Sequence, residues 1–332
     1  IFIILNLFPN KIAMKKKKII SNFLSFLLSL ILIILILEIF VRIITSNGLN
    51  LDIEMLKYAK SHKIISANKN IGLEHRSNVK KKLMNVEIKL NSQGFRNNID
   101  IDHSKKKILM LGDSITLGWG AQNTFSYNLE KFLNSDIQII NAGIGNTNTY
   151  MQIYNFFENY SKYNFDMIIL NFFVNDFENV IIKKSNLFVK NLYFISYFKA
   201  KILKILIENS LIDNYENFYL KTIEDKEFVE VSLNLIEKLN EYCKKEKIIF
   251  IINYMPELRD MKNYKFNKQI KIMENFSKQN GIKFINSLDI LQNYEDNTLW
   301  VTKEDSHYND KAHLLISKFL KRKLAFELNS FM

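Results

Sequence analysis

Cysteine is almost missing from this chain of 332 residues. Cys243 is the only one, so no disulfide can form within the chain and no cysteine cluster can hold a structural zinc. Proline occurs twice and glycine nine times. Beside so many Lys, Ile, Asn and Phe, those low counts reflect the coding bias of an AT-rich genome more than any fold. They give each glycine more weight, because few are spent on casual turns. Histidine is sparse as well. Its five copies are scattered and form no H-E-x-x-H array, so neither a metal centre nor any cofactor is called for. Disorder is excluded for most of the chain, because 48% hydrophobic and 13% aromatic residues suffice for a sizeable core. The length holds one ordinary α/β domain, a membrane segment and connecting pieces.

Charge is lopsided, at +12 net. The densest basic run, Lys15 to Lys18, stands directly before an apolar stretch, where it acts as a topology signal. No interleaving of basic and aromatic residues suggests a nucleic-acid partner, so the membrane is the expected one. Ile19 to Leu37 are 19 consecutive uncharged residues. At a rise of ~1.5 Å each they span a bilayer core, which predicts a signal-anchor helix over 19–45. Glu38 and Arg42 follow at a spacing of four and can pair near the far interface. With residues 1–18 on the cytoplasmic side, everything after about Thr45 is expected outside the cytoplasm. A cleaved signal peptide is the alternative, but the apolar core exceeds the usual ~7 to 15 residues and no A-x-A-like site follows. Met14 opens an ordinary basic-then-apolar start and is expected to be the true initiator.

Residues 46–104 are polar and basic, with Lys80, Lys81 and Lys82 in a row, and read as a juxtamembrane connector. Within them, Asn91-Ser92-Gln93-Gly94-Phe95-Arg96 predicts a turn followed by an aromatic that docks on the domain. No internal repeat is visible.

Beyond Lys105, short aliphatic runs alternate with longer amphipathic ones, the signature of parallel strands joined by crossover helices. Strands are expected at Lys107–Leu111, Ile137–Ile140, Met167–Asn171, Ile248–Asn253 and Lys283–Ile285. Helices are expected at Thr124–Leu133, Thr149–Tyr160, Glu227–Lys244, Lys268–Gln279 and Asp310–Lys321. Residues 177–220 break the rhythm, being rich in Phe, Tyr and Lys. They read either as an inserted lid or membrane-facing element, or as extra helical packing.

Ligands of open parallel sheets gather at the carboxyl ends of the strands. After the first strand comes Gly112-Asp113-Ser114-Ile115-Thr116, a serine on a strand-to-helix turn whose hydroxyl can stand at the sheet edge. After the second comes Asn141-Ala142-Gly143-Ile144-Gly145-Asn146, where the backbone N–H of Gly143 can approach a substrate. After the third, Asn175 of Phe173-Val174-Asn175-Asp176 offers an amide. Near the end, Asp305 and His307 stand two apart in an extended stretch. There the carboxylate can hold one imidazole nitrogen while the other faces Ser114. Each block alone also reads as a turn or a surface feature. His62, His75 and His103 fall outside the expected domain core, and His313 on the last helix reads as packing or capping.

Taken together, the four blocks resemble the SGNH/GDSL hydrolase superfamily. They read G-D-S-I-T at Gly112–Thr116, N-A-G at Asn141–Gly143, N-D at Asn175–Asp176 and D-x-H-x-N at Asp305–Asn309. The likeness covers about 105–326. It implies a three-layer α/β/α, flavodoxin-like fold around a five-stranded parallel sheet. It also implies Ser114 as nucleophile, His307 as base, Asp305 as its orienter, and Ser114, Gly143 and Asn175 as oxyanion donors. Two positions depart from the family pattern. Phe173 stands where a glycine is frequent, which narrows the acyl pocket. Glu304 stands where the acid often lies, so it is an alternative partner for His307. The implied chemistry is acyl transfer through Ser114, and the expected substrate an acylated glycan or lipid. The expected setting is the bacterial cytoplasmic (inner) membrane, crossed once, with the catalytic domain in the periplasm or outside the cell. An O-acyltransferase onto an envelope polysaccharide and a non-catalytic glycan-binding or assembly protein are the alternatives.

Overall fold

A computed structural model of the chain describes residues 8–180, 182, 191–329 and 331. Residues 1–7 of the expected cytoplasmic segment, and 181 and 183–190 of the expected insertion, lie outside the described residues.

Helix α1 (Phe8–Ile44) includes Met14–Ile44, long and apolar enough to cross a membrane, with a mean hydropathy of 3.0 over its most apolar window. Its side chains are exposed from Met14 onward except for a stripe near the end, where Glu38, Val41 and Thr45 are buried. Glu38 accepts from Arg42 one turn later, at 2.7 Å. Asn50 caps α2 (Leu51–Ser61) by accepting from Ile53 N–H. Then come two small antiparallel pairs, β1 (Lys63–Ile65) with β2 (Leu73–His75), and β3 (Lys80–Leu83) with β4 (Val86–Lys89). The 46–104 segment is therefore folded, with its own buried cluster around Tyr58, Leu83, Ile88 and Leu90 that closes on Leu117 and Trp119.

The main sheet contains β5 (Lys106–Leu111), β6 (Ile137–Asn141), β7 (Met167–Phe173), β8 (Ile249–Met255) and β9 (Lys283–Asn286). All four pairings are parallel and the spatial order is β6-β5-β7-β8-β9. That order is the flavodoxin-like one. Every residue of β7 is buried, as expected for a strand covered on both faces by crossover helices. Each fully buried Ile, Leu or Phe in this core contributes about 1.5–3 kcal/mol relative to an exposed one.

The helical layers are α3 (Ser114–Leu117), α4 (Phe125–Lys131), α5 (Thr149–Asn155), α6 (Tyr193–Glu208), α7 (Tyr215–Thr222), α8 (Lys226–Glu246), α9 (Asn267–Gln279) and α10 (Leu288–Leu291). A hairpin of β10 (Trp300–Thr302) and β11 (Asp305–Tyr308) leads into α11 (Asp310–Lys323) and α12 (Ala325–Asn329). The expected helix at 149–160 is α-helical only as far as Asn155. Its last turn, Phe156–Tyr160, is π-helical, which lets both Phe156 and Phe157 pack edge-on against Tyr242.

Candidate active site

At the end of β5 the chain turns sharply into α3. Asp113 caps that turn, its Oδ1 accepting Ile115 N–H at 2.8 Å, and this leaves Ser114 as the first residue of α3. The carbonyls at its far end are met from several sides: Ser114 O accepts the N–H of Gly118 and Trp119, Thr116 O accepts Asn141 Nδ2, and Arg96 takes Leu117 O and the loop beyond. Its half-buried guanidinium donates to the carbonyl oxygens of Leu117, Gly118 and Ala121. The turn that carries Ser114 is thus pinned at both ends.

Ser114 is 8% exposed, and its Oγ lies 2.9 Å from His307 Nε2. His307 Nδ1 lies 2.5 Å from Asp305 Oδ1. A carboxylate can only accept, so the proton of the neutral ring sits on Nδ1, and Nε2 is left to take the proton of Ser114. The second oxygen of Asp305 accepts the indole N–H of Trp119 at 3.2 Å. Burial alone pushes the Asp305 carboxyl up. The His307 imidazolium and these hydrogen bonds outweigh it, and the carboxyl lies below its usual range. For His307 burial disfavours the charged ring, but Asp305 and then Asp113 outweigh that, so its pKa is raised. Asp305 and His307 reach one side of β11 because alternate residues of a strand share a face. Glu304, between the two short strands, has a side chain 73% exposed that meets Lys204 at 3.9 Å and does not touch the imidazole.

Asn175 follows β7. Its Nδ2 donates to Asp113 Oδ2 at 3.0 Å, the same oxygen that lies 3.5 Å from Ser114 Oγ, so the amide stands beside the serine, and its second hydrogen has no partner among the described residues. Gly143 follows β6 in the tight loop that packs on α3. Its N–H donates to Asn141 Oδ1 at 3.0 Å, and any Cβ there would overlap Leu117 N at 2.1 Å, so its glycine is demanded by packing of the loop on α3. Gly145 is the glycine beside the serine, where a Cβ would lie 3.6 Å from Ser114 Cβ and 2.9 Å from the Tyr58 ring. Its N–H donates to Tyr58 Oη at 3.1 Å. Among the described residues no group of three or more His, Cys, Asp or Glu comes together as a metal site.

A profile of GDSL-like lipases and acylhydrolases matches residues 108–320, nearly the whole of this sheet and all of the residues just described except Tyr58 and Arg96. The chain belongs to that GDSL family. No curated protein matches it. Among solved structures it is similar to a putative lipolytic protein of the G-D-S-L family from Desulfitobacterium hafniense, at 15% identity over 66% of this chain and 99% of that one, with a TM-score of 0.40. It is likewise similar to the psychrotrophic esterase EstA from Pseudoalteromonas sp., at 14% identity over 68% and 100%, with a TM-score of 0.44. The acetyl xylan esterase AlAXEase stands at 13% identity over 66% and 99%, with a TM-score of 0.42.

Several residues around the site of this GDSL protein carry no family signature. His75 donates from Nδ1 to Gly94 O at 3.0 Å, so its Nε2 accepts the Tyr58 hydroxyl at 2.6 Å, and Tyr58 oxygen in turn accepts Gly145 N–H. Burial pushes His75 down to about 3, which keeps the ring neutral in this line. Lys63 Nζ donates to Gly145 O at 3.0 Å and Asn146 Oδ1 at 2.9 Å, and burial lowers it to about 8. The turn at Asn91–Arg96 has its aromatic, Phe95, fully buried in the main core, while Asn91 Oδ1 accepts the N–H of Gln93 and of Phe95. Only this last motif left a mark in the sequence. Tyr58, Lys63 and His75 sit in segments that read as connector, and nothing in their spacing points to Ser114. His313 packs flat against Phe125, and its Nδ1 accepts Phe125 N–H at the start of α4.

Proposed function

We propose that this GDSL-family protein is a serine esterase that removes acyl groups from an O-acylated glycan or lipid of the cell envelope, through an acyl-enzyme on Ser114. The observation that carries the reading is the unbroken hydrogen-bonded line Ser114–His307–Asp305, with distances of 2.9 and 2.5 Å. In this reading Ser114 Oγ attacks the ester carbonyl carbon while its proton passes to His307 Nε2. Asp305 holds the imidazolium that forms. The developing oxyanion meets the Ser114 backbone N–H and the spare amide hydrogen of Asn175. Gly143 joins them only if its N–H leaves Asn141. The carbonyl re-forms as the alcohol leaves with the proton from His307. Water, deprotonated by the same ring, then releases the acid.

The extracytoplasmic setting is supported by α1, with Lys15 to Lys18 held inside and the GDSL domain following the span. The test of the chemistry is labelling of the full chain in detergent by a fluorophosphonate probe. Wild type is expected to label, and Ser114→Ala and His307→Ala to lose the label. Equal labelling of wild type and Ser114→Ala would sink the assignment.

A further inference from the structure

Helix α6 is more apolar than most of the chain, yet none of its residues is buried. Phe198, Ile202 and Ile205 follow at i, i+4 and i+7 and form a stripe 40, 57 and 56% exposed. In water such a face would be an unexplained liability. The first turn of the helix is partnered. The N–H of Phe194 donates to Glu38 of α1 at 3.1 Å, and the guanidinium of Arg42 lies over the Tyr193 ring at 4.1 Å. At its other end Lys204 approaches Glu304, next to the Asp305–His307 strand. The helix therefore starts where the uncharged stretch of α1 ends and runs to the rim of the Ser114 site. On α1, Ile39 and Ile43, beside the Glu38 and Arg42 that meet the start of α6, are also exposed. Lys199, Lys201 and Lys204 flank the stripe, and no acid appears before Glu208. Apolar stripe, lysine flanks and a start at the membrane exit together describe a helix lying in a membrane–water interface.

We infer that α6 lies in the surface of an anionic bilayer on the side where α1 emerges, with Phe198, Ile202 and Ile205 among the upper acyl chains. The Ser114 site is thereby held at headgroup height and takes its acyl donor from the membrane surface. The inference rests on α1 being a retained anchor and on the esterase reading above.

The experiment uses the full chain in vesicles of phosphatidylcholine and phosphatidylglycerol, with Ile202→Cys carrying an NBD fluorophore. Cys243 is buried and its thiol pushed up to about 12, so it stays unlabelled. Phe326→Cys, on α12 near the amino ends of the strands, is the control. Brominated phospholipid is expected to quench the probe at 202 and leave that at 326 unchanged. A vesicle-bound protein whose probe at 202 stays unquenched would overturn this inference alone, as would a crosslink from 202 to a second chain. Protein that washes off the vesicles entirely would overturn the anchor reading with it. As a second measurement, Ile202→Asp with Ile205→Asp is expected to leave turnover of a soluble acetate ester unchanged and to lower turnover of a vesicle-borne ester roughly tenfold. Equal losses on both substrates would refute a surface role.

Discussion

Residues 105–326 and residues 46–104 both reach Ser114, but on different terms. The first stretch brings the atoms that can react. Ser114 and Asn175 follow strands buried on both faces and inherit their positions from a packed sheet, while Asp305 and His307 come from the short β10–β11 hairpin. The second stretch brings no reacting atom. Its strands are three or four residues long, and in β3 three lysines in a row face solvent. Yet Arg96 caps the turn that carries Ser114, and Tyr58 and Lys63 hold both polar groups of Gly145. Reactive groups need rigid placement at a strand end, whereas backbone support can arrive from any element that passes close enough to donate or accept a hydrogen bond. A family profile defined on the first kind of residue therefore stops short of the second.

Substitutions in the two stretches should separate these roles. The largest effect is expected for Asp305→Asn, where turnover should fall ~10⁴-fold, as when a triad loses the carboxylate that fixes its imidazole. The pH profile carries the sign. The base must be neutral, so wild-type kcat/KM should fall as pH drops through the His307 pKa, which lies above the ordinary ~6.5. Removing Asp305 removes the larger of the two charges that raise it, and the acid limb of the remaining activity should move to lower pH. An unmoved limb would mean that another residue is the base.

Asn175→Ala comes next, with kcat expected to fall ~10²- to 10³-fold and KM for a small ester little changed, since its spare hydrogen serves only the charge that develops in the transition state. Unaltered turnover would remove Asn175 from the oxyanion site and place its role in holding Asp113. The mildest change is Tyr58→Phe. It strands Gly145 N–H and His75 Nε2 without a partner, which should cost about 1–3 kcal/mol of stability and lower kcat roughly tenfold through a displaced loop. Thermal melting and steady-state kinetics on the same preparation read both. A Tyr58→Phe protein with reduced stability and full kcat would mean that the 46–104 stretch supports the fold and not the site, and the contrast between the two stretches would sharpen into one of stability against chemistry.

Much of this was legible before any tertiary contact was known. Alternation of aliphatic runs with amphipathic ones located all five strands of the main sheet to within one or two residues at each end, because strands buried on both faces have few ways to be written. Ser114, Asn175, Asp305 and His307, which the structure brings together, stood out in the sequence because few side-chain types suit the chemistry expected of them. Gly143 and Gly145 were not separable in this way. Both glycines of Asn141–Asn146 look alike along the chain, and only the packing of one on Leu117 and the other on Ser114 tells them apart.

What the sequence alone determined, then, is the sheet, the apolar helix ahead of it and the residue types that face one another at the strand ends, since each is encoded by local pattern. Tertiary structure decided the rest. It chose Asp305 over Glu304 by pointing one carboxylate at the imidazole and the other at solvent. It brought Tyr58, Lys63 and Arg96 to loops 20 or more residues away in the chain. Such contacts depend on where two distant backbones cross, and a hydrogen bond to a backbone carbonyl or N–H can be made to any residue type, so it leaves no pattern at the position it serves.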